Sequence, residues 1–195
     1  MRWALSLLAV AALVGVVVIG LTQAGGSAES SGSAPPARFD LAQARERLRG
    51  APAPLAALHQ QSNRLLDGGD GAFGDRLRAL KGYPVVVNKW ASWCGPCRAE
   101  LPIFQAVATA RGREIAFVGL NSRDKRPSAQ SFVERFPVPY PSYEDPDEKL
   151  ARVLGVPSNF PVTVFLDAKG ETAFVHQGGY GTRAQLDADI ERHLG

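Results

Sequence analysis

The chain is 195 residues long, with 45% hydrophobic and 21% charged residues. That fits one globular domain with appendages and excludes two full-sized domains or a disordered chain. Twenty-two basic residues against 19 acidic ones leave a net charge of +3, with no Lys/Arg block and no basic stripe interleaved with aromatics, so nucleic acid is not an expected partner. The two cysteines, Cys94 and Cys97, are too few to complete a four-ligand zinc site alone or to staple a fold.

From Trp3 to Leu21 every residue is apolar, Gly or Ser, a run of 19 positions bracketed by Arg2 and Thr22. An ordinary secretory signal carries an apolar stretch of about 7–15 residues, and a bilayer span needs about 20. Residues 1–22 are therefore read as an uncleaved signal-anchor, with a long signal peptide as the alternative. No Cys follows for lipid attachment, and small residues offer no clear cleavage site. The charge on Arg2 and the terminal amine, with no further positive residue before Arg38, orients the N-terminus to the cytoplasm and the rest outside. Residues 23–36, rich in Ala, Gly and Ser and ending in Pro35-Pro36, read as a flexible linker. Residues 37–67 read as a helical extension. One helix runs from Phe39-Asp40 along Leu41, Ala44 and Leu48 to stops at Gly50 and Pro52; a second covers Pro54 to Leu66. Gly68-Gly69-Asp70-Gly71 breaks the chain, and a domain over 68–195 follows.

In that domain strands and helices alternate. Pro84 to Trp90 is short and β-branched, a buried strand. Cys97 to Ala110 has Leu101, Phe104, Val107 and Ala108 at helical spacing, and Ile115 to Asn121 is a second strand. A helix opens at Ser128 and runs to Phe136, and Pro137, Pro139 and Pro141 forbid regular structure after it. Asp147 to Leu154 is another helix. Val162 to Leu166 and Thr172 to His176 are strands joined by Asp167-Ala168-Lys169-Gly170, a hairpin. Thr182 caps a last helix carrying Leu186, Ile190 and Leu194. The expected order is strand, helix, strand, helix, helix, strand, strand, helix: an α/β layered sandwich with a mixed sheet.

The chemistry is concentrated in Trp93-Cys94-Gly95-Pro96-Cys97. Cys94 falls at the end of a strand-to-helix loop, where helix N–H groups and the positive end of the macrodipole favour a thiolate. Cys97 faces back toward it within disulfide reach. Gly95-Pro96 tightens the turn, and a proline suits a first helical turn because its missing N–H is not needed there. Half of a metal site or a structural disulfide are the competing readings. The strand before, the helix after and the lack of other cysteines weigh against both.

Trp90-Ala91-Ser92-Trp93-Cys94-Gly95-Pro96-Cys97-Arg98-Ala99-Glu100-Leu101-Pro102 resembles the thioredoxin superfamily, and more narrowly the membrane-tethered TlpA/ResA-like thiol–disulfide oxidoreductases. The resemblance covers residues 72–195. It implies a thioredoxin-like three-layer sandwich, here preceded by the membrane anchor and helical extension, and reversible dithiol–disulfide chemistry. It also implies a cis-proline facing the cysteines, matched by Pro161, with Phe160 offering its backbone to an incoming substrate strand. Trp93, Gly95, Pro96, Phe160 and Pro161 are the implied substrate contacts. Where cytosolic thioredoxins carry a buried Asp six residues before the first cysteine, this chain has Asn88, which cannot titrate. Glu100 matches the acidic neighbour of the second cysteine in the TlpA/ResA-like group, with a solvated helix position as its bland alternative. Lys89 departs from the family, which more often has an apolar aromatic there. Such a lysine either snorkels along the sheet edge or raises the local positive potential. His59, His176 and His193 are scattered and read as surface residues.

The expected protein is an extracytoplasmic reductant of disulfides in exported proteins, needing no small-molecule cofactor and no metal. Cys94 attacks, Cys97 resolves, Glu100 assists, and a membrane thiol electron donor resupplies electrons. A disulfide-forming oxidant is the alternative, although Cys-Gly-Pro-Cys leans toward reducing potentials. A peroxiredoxin is disfavoured because Ala91 stands where it would carry Thr. A copper-binding module would use Cys94, Cys97 and a histidine, but no histidine lies at local spacing.

Overall fold

Asp40 takes the N-cap of the first helix, its carboxylate accepting the Gln43 N–H at 3.0 Å. The structure is a computed structural model and describes residues 38–195; the expected anchor over 1–22 and linker over 23–36 lie outside the described residues. Seven helices and six strands follow in the described residues: α1 (Leu41–Arg47), α2 (Ala53–His59), β1 (Leu65–Leu66), α3 (Asp70–Ala79), β2 (Val85–Trp90), α4 (Gly95–Arg111), β3 (Ala116–Ser122), α5 (Arg126–Arg135), β4 (Ser142–Asp145), α6 (Lys149–Val153), β5 (Val162–Leu166), β6 (Thr172–Gln177) and α7 (Arg183–Leu194). The strands form one sheet in the order β1-β4-β3-β2-β5-β6. The first four are mutually parallel, and β5 and β6 are antiparallel additions.

Every residue of β2, β3 and β5 is buried, because helices cover both faces of the sheet. Successive side chains of a strand point to opposite faces. Val86 and Trp90 therefore join Leu101, Phe104, Phe132, Leu186 and Ile190 on the α4/α5/α7 side. Val85 and Val87 join Leu55, Leu58, Phe73, Leu80 and Leu150 on the α2/α3/α6 side. The result is the three-layer sandwich that the resemblance implies. At the centre, Gly119 of β3 leaves room for the Trp90 indole to donate to Ser142 Oγ at 3.1 Å; a Cβ there would sit 2.1 Å from that oxygen.

The element order differs from the expected one in three places. Pro137 to Pro141 lie outside helix and strand, but Ser142 at once resumes as β4, paired with β3 and β1. The second helix stops at His59 rather than Leu66. Ser62 Oγ donates to the His59 and Pro139 carbonyls, and Asn63 takes a left-handed φ of 63°, turning Leu65–Leu66 into an edge strand. The glycine-rich break is confined to Gly68-Gly69; helix α3 begins at Asp70 and contains Gly71 and Gly74. Its end at Leu80 is buried against the sheet, and that packing offsets the weak helix propensity of its glycines. The β5–β6 hairpin forms as expected, with Asp167 Oδ1 accepting the Lys169 and Glu171 N–H groups and Gly170 at φ 87°. Thr182 and Gln185 make a reciprocal capping box on α7.

Candidate active site

Strand β2 ends at Trp90, and Ala91-Ser92-Trp93 carries the chain to Cys94, the N-cap of α4. Cys94 Sγ accepts the Cys97 N–H at 3.1 Å. Sulfur thus occupies the place a capping oxygen usually takes, where helix N–H groups stabilise negative charge. Cys94 and Cys97 are joined as a disulfide with Cα atoms 5.3 Å apart, and both are buried. Gly95 and Pro96 are exposed in the first turn, between them.

The loop before Cys94 is held from across the sheet. Asp124 accepts from the Ser92 N–H at 2.5 Å, from Ser92 Oγ at 2.9 Å and from Asn121 Nδ2 at 3.0 Å. The Trp93 indole donates to the Arg123 carbonyl at 2.9 Å, with Arg123 itself at φ 51°. Asp124 carries no signal in the sequence; only the pairing of Trp90 with Asn121 brings the two strand ends together.

The cis Phe160–Pro161 bond stands on the other side of the motif. Strand β5 pairs Val162 with Lys89, which sets Pro161 at the level of the β2 end. The Phe160 ring meets Trp93 edge-to-face at 5.0 Å, and Trp93 is 56% exposed, one of two large hydrophobic side chains so open among the described residues. A Cβ on Gly179 would lie 3.6 Å from Glu100 Oε2, 3.6 Å from the Pro161 ring and 3.8 Å from the Pro96 carbonyl. Glu100, Pro161 and Pro96 therefore converge on one glycine, supplied by the β6–α7 connection.

Glu100 is not a solvated helix residue. It is 1% exposed, one turn beyond Cys97 on the buried face of α4. Asn88 Nδ2 donates to Oε1 at 2.8 Å and the Tyr180 N–H to Oε2 at 3.1 Å. Burial pushes its pKa up to about 7, although both hydrogen bonds pull it back toward the ordinary carboxylate range. The phenols of Tyr140 and Tyr180 are held well above their ordinary values, by burial first, with Asp189 and then Glu100 adding to the effect at Tyr180 and Glu100 at Tyr140. Tyr180 was invisible in the sequence because 80 residues separate it from Glu100.

Lys89 does not snorkel. Strand β2 is flanked by β3 and β5 and has no edge to offer, so the side chain is fully buried and its ammonium meets Glu148 Oε1 at 2.7 Å. His59, His176 and His193 are half-buried, and His176 stacks on the Tyr180 ring with centroids 4.1 Å apart. Among the described residues no three His, Cys, Asp or Glu side chains are grouped to hold a metal.

A disulfide between an N-cap residue and the first turn of the same helix has dithiol–disulfide exchange to offer, and the sheet that carries it is that of thioredoxin-like thiol–disulfide oxidoreductases. The Redoxin family model matches residues 75–190, and the chain belongs to this family. It is 37% identical over 92 residues to the thiol:disulfide interchange protein DsbE of Pseudomonas fluorescens biotype C, a match covering 47% of this chain and 49% of the relative. It is 28% identical over 120 residues to the thiol-disulfide oxidoreductase ResA of Geobacillus kaustophilus, covering 61% of this chain and 66% of the relative. The chain thus spans about half the length of the first and slightly under two thirds of the second. The crystal structure of a thiol:disulfide interchange protein of the thioredoxin family from Chlorobium tepidum superposes with a TM-score of 0.55 at 27% identity, over 60% of this chain and 84% of that one.

Proposed function

We propose that the protein reduces disulfides in exported proteins, outside the cytoplasm and tethered to the membrane by residues 1–22. The observation that carries the chemistry is the placement of a buried, hydrogen-bonded carboxyl one turn from the resolving cysteine, with its pKa at about 7. In the reduced protein the Cys94 thiolate attacks one sulfur of a substrate disulfide, and the other substrate sulfur leaves as a thiolate and takes a proton. A Cys94–substrate mixed disulfide results. Glu100 accepts the Cys97 proton, the Cys97 thiolate attacks Cys94 Sγ, and the second substrate sulfur leaves as a thiolate and takes a proton from solvent, while Glu100 returns its own proton to solvent. Two electrons pass from the dithiol to the substrate, leaving the Cys94–Cys97 disulfide. A thiol electron donor in the membrane then reduces it, so no small-molecule cofactor enters. Trp93, Gly95, Pro96, Phe160 and Pro161 form the substrate contact, with the Phe160 backbone pairing to an extended chain. Residues 23–36 serve as linker, 37–67 as helical extension and 68–195 as the redox domain.

Replacing Cys94 with Ser should abolish reduction of insulin disulfides, and Cys97→Ser should accumulate mixed disulfides with exported proteins. Normal turnover by the Cys97 variant would reverse the assignment of nucleophile and resolver. The direction of electron flow follows from the reduction potential. Equilibration with glutathione should give a value near that of thioredoxins, about −270 mV, whereas a disulfide-forming oxidant would lie near about −120 mV.

A further inference from the structure

Lys89 occupies the middle of the sheet, paired with Leu120 on one side and Val162 on the other, where an apolar residue is the ordinary choice. Its side chain is 0% exposed, yet the ammonium is well supplied with acceptors. Glu148 Oε1 lies at 2.7 Å, the Pro157 carbonyl at 2.8 Å and the Asn159 carbonyl at 3.5 Å, matching three N–H donors to three oxygens. The Phe160 ring centroid is 4.2 Å from the same nitrogen. Glu148 stands at the N-cap of α6 with φ 56°, a backbone region that non-glycine residues rarely adopt. Three of these contacts fall within Pro157–Phe160, the stretch that leads into Pro161, and the Phe160 ring in turn meets Trp93. A buried ion pair is a poor device for stability, since desolvation offsets much of its attraction and hydrophobic replacements are often as stable. What it does supply is a directional anchor for backbone carbonyls and a ring face.

We propose that Lys89 is a positioning residue for disulfide exchange: its buried ammonium, countered by Glu148, fixes the Pro157–Phe160 segment and the Phe160 ring, and so holds the wall that a substrate chain meets beside Cys94. The inference rests on the reading in which Phe160 and Pro161 receive the substrate. It reaches Cys94 only through Phe160 and Trp93, so it acts on how substrate is held rather than on the sulfur chemistry.

The test uses the full chain and a disulfide-bridged peptide, with dithiothreitol as the regenerating reductant. Three forms are compared with the parent: Lys89→Met, Glu148→Gln and the double replacement Lys89→Met with Glu148→Leu. The double variant buries no unpaired charge, so it should unfold at a denaturant midpoint close to the parent's. Its KM should nevertheless rise about tenfold, with kcat within about twofold, because the carbonyls and the ring have lost their anchor. Glu148→Gln keeps Lys89 on the carbonyls and the ring. It should lose stability with KM within about twofold of the parent. A double variant with the parent's KM would overturn the proposal. So would equal KM increases in Lys89→Met and Glu148→Gln, because KM would then follow stability alone. A parent protein that fails to turn the peptide over would overturn the oxidoreductase reading as well.

Discussion

Glu100 and Asn88 form a pair whose logic lies in solvent exclusion. A carboxyl with no access to water is penalised in its charged form, and the amide of Asn88 offsets only part of that penalty. The folded-state pKa of about 7 stands above the ordinary value of 4.5. The folded chain therefore favours the protonated form. The associated stability is fully present below pH 4.5 and is lost as the pH rises through 7. That difference amounts to roughly 3 kcal/mol at 1.36 kcal/mol per pKa unit. Glu100→Gln preserves size, should fold, and should remove this fall, which urea denaturation of the oxidised protein at pH 5 and pH 8 would measure. It should also flatten the pH dependence of mixed-disulfide resolution around neutrality. A variant with the parent's pH profile would mean that Glu100 takes no proton from Cys97. The sequence placed Glu100 on the face of Cys97 but carried no sign of its acidity, which comes from burial and from the distant Tyr180 N–H.

At the scale of elements, the strands and helices with a clear period were legible: β2, β3 and β5 as β-branched runs, α4 and α7 as apolar stripes. Strand β4 was not, because Ser142-Tyr143-Glu144-Asp145 looks polar and follows three prolines. Its burial depends on partners. Tyr143 meets Phe73 at 5.3 Å, and Asp145 accepts from Leu150 and Ala151 N–H groups, capping α6, and from Ser122 Oγ. The first two helices illustrate the same dependence. Leu55 and Leu58 are 0% exposed and share a cluster with Val85, Val87 and Leu120. Leu58→Ala should therefore destabilise the whole redox domain by about 2–5 kcal/mol. Far-ultraviolet circular dichroism and tryptophan emission should report one shifted transition. Loss of helix signal with unchanged tryptophan unfolding would show the extension to be an independent appendage.

For the whole molecule, the site sits at the C-terminal end of β2, where the parallel strands of an α/β sheet deliver their loops. No helix among the described residues is long and apolar enough to cross a membrane; the tether proposed above is residues 1–22. In the proposed arrangement, a Gly/Ser/Ala-rich tether over 23–36 would span roughly 20 Å on average and hold the domain at high effective concentration near a membrane donor. Cell fractionation should find the full-length chain in the membrane pellet, resistant to high salt. A soluble extracytoplasmic form beginning near Ala28 would replace the anchor with a cleaved signal peptide and leave the thiol chemistry intact.

The proline that faces the cysteines was matched only through the family resemblance; by itself the sequence determined the dithiol motif and its strand-to-helix setting. Each of these depends on residues a few positions apart, and spacing along the chain reports local geometry directly. Tertiary structure alone decided the acid strength of Glu100, the burial of Lys89 and the grip of Asp124 on Ser92. Those properties arise between segments 12 to 80 residues apart, joined only when β2 is enclosed by β3 and β5. Charge and hydrogen-bonding type can be read from a side chain's identity. Whether water reaches it, and which distant oxygen or nitrogen replaces that water, is settled by packing.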